Sequence, residues 1–232
     1  MTPAYRHELK YLVNQAEYRQ LQTVLRSLLG HDAHAGPDGG YHIRSLYMDD
    51  FYHTAYRQKM AGVEVRKKYR VRIYNCKGTH IALECKHKNG AYVYKESVPL
   101  TRGEYTALCR GDCGFLLRKP QPMATQFFLE ARANLIRPCV IVAYDREAFV
   151  NDVGTVRITF DKALTAMEPR QDLFDPQAPG YHVLPPGQMI LEVKFTGILP
   201  EYIQSIFRAY SFVRTSASKF CLCVDQVRHT LR

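Results

Sequence analysis

The stretch Val65-Arg66-Lys67-Lys68-Tyr69-Arg70-Val71-Arg72-Ile73-Tyr74 alternates in kind: Arg66, Lys68, Arg70 and Arg72 fall on one parity, and Val65, Lys67, Tyr69, Val71 and Ile73 on the other. Successive side chains of a β-strand point to opposite faces, so the pattern predicts a strand with one cationic face. A second strand follows, with Glu84, Lys86 and Lys88 interleaved among Leu83, Cys85 and His87. The same alternation returns in Arg6–Val13 (Glu8 and Lys10 against Leu9 and Tyr11), in Thr155–Asp161 (Arg157, Thr159 and Asp161 against Val156, Ile158 and Phe160) and in Met189–Phe195 (Glu192 and Lys194 against Leu191, Val193 and Phe195). A single such strand is the ordinary solvated face of an antiparallel sheet, and Lys67 and Lys68 alone read equally well as edge lysines that discourage aggregation. Repetition over several strands points instead to an anion site.

Helical signals separate the strands. Asn14 is placed to cap a helix over Gln15–Leu29, with Leu21, Val24, Leu25, Leu28 and Leu29 at helical spacing and Gly30 closing it. Thr101 with Glu104 forms a capping-box pattern for a short helix ending near Cys109, and further helices are expected over Met123–Leu135, Pro200–Tyr210 and Ala217–His229. Strands are expected at Tyr41–Asp49, Tyr92–Leu100 and Cys139–Arg146, a turn near Lys77 and Gly78, and a mobile rim over the Pro- and Gly-rich residues 168–187. The fold class is α+β: about eight antiparallel strands closing into a barrel with flanking helices, in one domain spanning 1–232. A barrel lined with Arg and Lys cannot be a dry core, because unpaired buried cations are too costly. The expectation is a wet tunnel, partly neutralised by Glu8, Glu84 and Glu192 and open to a polyanion.

Composition bounds the partner. Lys and Arg number 32 against 22 Asp and Glu among 232 residues, a net charge of +10, which favours polyanions such as nucleic acid, an acidic membrane surface, nucleotide or polyphosphate. Nucleic acid is the weaker reading, since the basic residues alternate inward and no P-loop or nucleic-acid module is present. The seven cysteines show no CxxC pair, and His31, His34 and His182 have no metal-ligand spacing. No Ser/His/Asp or Cys/His constellation stands out. With no signal peptide and no apolar run near bilayer length, the expected location is cytoplasmic.

In order along the chain stand RHELKYLV (6–13), SLYMDD (45–50), RKKYRVRIY (66–74), LECKHK (83–88), YVYKESV (92–98), AYDREAF (143–149), VRITFD (156–161), ILEVKF (190–195) and SKF (218–220). This ordered set resembles the VTC domain, the polyphosphate polymerase branch of the CYTH or triphosphate tunnel metalloenzyme superfamily. The resemblance implies phosphate binding by Lys10, Arg70, Arg72, Lys86, Lys95, Arg146 and Lys219, with Arg157 and Ser218 assisting; Arg70, Arg72, Lys86 and Arg146 are the catalytic candidates. It implies a manganese or magnesium ion on Glu192, with Glu8 and Glu84 as weaker ligands or, equally, as neutralising salt bridges. The implied reaction moves the terminal phosphoryl of ATP onto polyphosphate or a pyrophosphate primer; a metal-dependent triphosphate or polyphosphate hydrolase and a non-catalytic polyphosphate-binding domain are the alternatives. The sequence departs from the pattern in two places. Arg6 stands where the wider superfamily has the first acid of an ExExK strand, and Thr215, Ser216 and Ala217 precede the SK pair where another basic residue is usual. The SPX domain and membrane segments of eukaryotic relatives find no counterpart in these motifs, so neither inositol-phosphate regulation nor translocation is expected.

Overall fold

The computed structural model describes residues 6–151, 156–210 and 212–230. In chain order they form β1 (Arg6–Val13), α1 (Gln15–Leu28), β2 (Gly30–His31), β3 (Gly40–Asp49), α2 (Thr54–Met60), β4 (Val65–Tyr74), β5 (Lys77–Asn89), β6 (Tyr92–Leu100), α3 (Arg102–Cys109), a 3-10 turn (Gly114–Arg118), α4 (Pro122–Asn134), β7 (Arg137–Asn151), β8 (Val156–Met167), β9 (Tyr181–His182), β10 (Met189–Phe195), α5 (Glu201–Arg208) and α6 (Lys219–Thr230). Thr155, the expected start of one strand, lies outside the described residues.

Local chemistry sets these boundaries. Asn14 Oδ1 accepts from the amides of Ala16 and Glu17, while the Asn14 amide donates to Glu17 Oε2, so β1 stops where α1 starts. Thr101 and Glu104 do the same for α3. Leu28 departs from expectation: it is 51% exposed at the helix end, and Leu21 and Leu25 carry the buried stripe. The turn between the two basic strands falls at Asn75 and Cys76, not at Lys77 and Gly78, which begin β5. Both turn residues have positive φ, 51° and 55°, the combination whose twist matches an antiparallel hairpin.

Eight strands pair antiparallel in the order β7-β3-β4-β5-β6-β1-β10-β8, and β8 pairs back to β7, closing the ring. The seam is β1 against β6, where the described residues give two register pairs, Arg6 with Val93 and His7 with Tyr92. Helices cover the outer face. α3, α4 and the segment 168–187 bury Tyr69, Val71, Leu83, Cys85 and Phe127; α1 and α5 bury Leu21, Leu25, Phe149, Phe160 and Leu191. Each buried Val, Leu or Phe among them contributes about 1.5–3 kcal/mol on leaving water, which offsets part of the ordering cost of the strands.

The interior has two characters. Parity turns Val140, Val142 and Tyr144 of β7 inward together with Arg146, and α6 lies against the apolar members with Phe220, Cys221, Cys223 and Val224. In β8 the inward parity changes along the strand. Asp161 and Leu164 are both buried because an extra residue intervenes, with Ala163 at φ 50° and a register shift opposite Ala143 and Asp145. This bulge lets one strand give a buried carboxylate to Arg146 and Lys219 of the cavity wall and an apolar face to α6.

Residues 168–187 are not a tunnel rim. Leu173 and Phe174 are buried in the outer core, β9 pairs with β8, and the Arg44 guanidinium donates to the carbonyls of Leu173, Asp175 and Pro176. All seven cysteines are free thiols, four of them buried. No helix among the described residues is long and apolar enough to cross a membrane.

Candidate functional site

The ring encloses a cavity of about 1280 Å³. Among the described residues, fifteen of the side chains lining it are Lys or Arg, whereas two, Glu8 and Glu192, are acidic, so the cavity keeps a surplus of positive charge. Lys10, Arg70, Arg72, Lys86, Lys95, Arg146, Arg157, Ser218 and Lys219, singled out in the sequence, all line it. Glu84 sits beneath the wall at 1% exposure.

The centre is an ion-paired knot. Glu192 lies 2.7 Å from Lys219 Nζ, 3.3 Å from Lys194, 3.4 Å from Lys10 and 3.5 Å from Arg146 Nη2. Asp161 takes Arg146 Nε at 2.6 Å and Lys219 at 2.5 Å, and Glu8 takes Lys86 at 2.8 Å and Lys10 at 3.1 Å. Burial alone would raise these three carboxyls, but the surrounding cations overcome it and hold each below the usual carboxylate range. The same balance acts on Glu84: burial raises it, and Arg70, Arg72 and Lys95 pull it lower still. Its two oxygens serve Arg70, at 2.7 Å, and Lys95. Glu84 is therefore a counter-ion that fixes Arg70, as the salt-bridge reading of its sequence position has it.

Beyond the knot, the cavity opens where β4 begins. Lys59, Arg66, Lys68 and Lys88 line this mouth, and no carboxylate among the described residues pairs with any of them. Lys68 donates to Ser218 Oγ at 3.0 Å and lies 4.8 Å from the Phe220 ring centre. Burial pushes its ammonium down to about 8 and also lowers Lys59, Arg66 and Lys88. Tyr47 is pushed up by burial but drawn down to about 8 by Arg70, Arg72 and Lys68. Groups held this way gain a counter-charge from any polyanion that enters. Arg157 is at the opposite mouth, where it pairs with Asp32 and donates to the Tyr41 hydroxyl at 2.7 Å.

The edge-lysine reading of Lys67 and Lys68 fails, because β4 is paired on both sides, by β3 and β5. Lys68 points into the cavity and Lys67 outward to Glu130 of α4. Asp161 and Lys194 belong to the site although no role was assigned to them from sequence. Their signal was there, since each continues the parity of residues already placed inside. Tyr47 and Tyr144, which receive hydrogen bonds from Arg70 and Arg72 at 2.9 Å and 3.1 Å, carried no charge pattern to reveal them.

A divalent metal has a restricted place here. Glu8 and Glu192 are bridged by the same two lysines, Lys10 and Lys194, and no group of three or more His, Cys, Asp or Glu among the described residues forms a metal cage. Two carboxylates without a third suit a hard cation that arrives with phosphate oxygens completing its shell.

A family model described as the VTC domain matches residues 5–228. Among solved structures, the chain is similar to a candidate adenylate cyclase from Bacillus halodurans (13% identity, 94% of this chain and 96% of that one, TM-score 0.56). It is also similar to a candidate adenylyl cyclase from Hippeastrum described as having a dominant triphosphatase activity (12% identity, 96% and 95%, TM-score 0.58). A chain of the Schizosaccharomyces pombe Mediator head module shares the architecture as well (13% identity, 91% and 100%, TM-score 0.50), so the likeness carries the fold and not an activity. No curated protein sequence matches the chain.

Proposed function

The chain belongs to the VTC domain family, and from that premise we propose that it is a polyphosphate polymerase, transferring the terminal phosphoryl group of ATP to a growing phosphate chain and releasing ADP. The observation that supports chain growth over simple binding of one triphosphate is the extent of the charge. Past the ion-paired centre, the cavity continues through Lys68, Arg66, Lys88 and Lys59, where a second stretch of phosphates can be neutralised.

Phosphoryl transfer asks a protein mainly for positioning and charge neutralisation around an in-line transition state. Arg70 and Arg146, fixed by Glu84 and Asp161, present guanidinium groups in set orientations, and Arg72 is steered by Ser45 and Tyr144. Their planar forks suit phosphate oxygens, while Lys10, Lys86, Lys95 and Lys219 act as point charges along the chain. A terminal phosphate is already an anion, so the acceptor needs no general base. Glu192, with Glu8 beside it, would hold a manganese or magnesium ion, which when bound supplies further neutralisation at the phosphate oxygens.

Glu192→Gln tests the assignment. Release of ADP should fall to background while polyphosphate binding, measured separately by calorimetry, stays within a few-fold of wild type. Full turnover in the variant removes Glu192 from the mechanism.

A further inference from the structure

The two ends of the cavity differ in chemistry. The mouth at the start of β4 is cationic. The mouth at the β4–β5 turn is aromatic: Tyr41, Tyr74 and His80 line it, with ring centres 5.9 Å apart for Tyr41 and Tyr74 and 5.8 Å for Tyr74 and His80. We infer that this aromatic mouth is a nucleoside subsite, in which the base of a nucleoside triphosphate stacks on Tyr74 and His80 while its phosphates run inward; the inference rests on the triphosphate reading of the tunnel.

Three features carry it. Tyr41 is buried and pinned, its hydroxyl taking a hydrogen bond from Arg157, so it backs Tyr74 without being able to turn aside. His80 is exposed on the cavity side, where packing of the protein does not require a ring. Tyr74 and Arg72 share the inner face of β4 two residues apart, about 7 Å along a strand, which matches the step from a bound phosphate to a stacked base. On neighbouring strands Ile43 pairs with Tyr74 and Tyr41 with Arg146, so Arg72 and Arg146 lie immediately inside the aromatic rim. A phosphate chain without a nucleoside has nothing to gain from these rings. The arrangement thus orients the donor with its nucleoside at the β4–β5 turn and its terminal phosphate toward the cationic mouth.

The test compares two ligands on the full chain by titration calorimetry in magnesium buffer: ATP and inorganic tripolyphosphate. Stacking of one base is worth about 1–3 kcal/mol, or roughly 5- to 140-fold in affinity. Tyr74→Ala should weaken ATP by a factor in that range and His80→Ala by a smaller one, with tripolyphosphate unchanged in both; retained tripolyphosphate binding also shows that the variants are folded. Equal weakening of both ligands, or no change for ATP, overturns the subsite and leaves the phosphate tunnel standing. Wild-type protein that binds neither ligand overturns the tunnel reading and the subsite together.

Discussion

Glu84 is 1% exposed and its two oxygens serve Arg70 and Lys95, so the residue is a fixed part of the wall. Replacing it by Gln leaves Arg70 buried without its counter-charge, and breaking a buried pair from one side costs about 3–5 kcal/mol. Chemical denaturation of Glu84→Gln should show a loss of that size; a change below about 1 kcal/mol would mean that water reaches Arg70. The pH dependence has a definite sign. The folded-state pKa of Glu84 is depressed from its ordinary 4.5, so its contribution is present above that value and is lost as the pH falls toward the folded-state value. Wild-type stability should fall below about pH 4.5, and less steeply in the variant. At this scale the sequence was informative wherever charge and parity coincided, as at Arg70, Arg146 and Glu192. Tyr47 and Tyr144 escaped it because an inward tyrosine and a core tyrosine look the same in a strand pattern.

Among the elements, the segment 168–187 shows where composition misleads. Its prolines and glycines suggested a mobile rim, but Leu173, Phe174 and the Arg44 contacts tie it to the outer face, and none of it lines the cavity. Nothing in the sequence around Arg44 announces that its partners are three carbonyls about 130 residues away. Arg44→Ala should therefore make 168–187 susceptible to limited proteolysis while polyphosphate affinity stays within twofold. A large loss of affinity would place the segment at the site after all. Helix starts were more legible, because a cap is a contact within four residues, as Asn14 with Glu17 and Thr101 with Glu104 demonstrate. The bulge at Ala163 was not, since it follows from fitting α6 and Asp161 to the same strand.

The whole molecule is a ring of strands whose outer face is covered by helices and whose inner face is divided between an apolar part under α6 and a cationic passage. Closure of that ring was predictable from the number of alternating segments. Its seam at β1 and β6 was not, because the two register pairs among the described residues leave no separate mark in either strand. The passage concentrates the net charge of +10 where a phosphate chain can use it. The same cations would also serve a reaction in which water accepts the phosphoryl group, so the central claim turns on the acceptor. Phosphorus NMR of the purified protein with ATP, manganese and a pyrophosphate primer reads the acceptor directly. The account predicts growth of the internal-chain phosphate signal with a matching rise in ADP; release of orthophosphate or free tripolyphosphate without chain growth would contradict it.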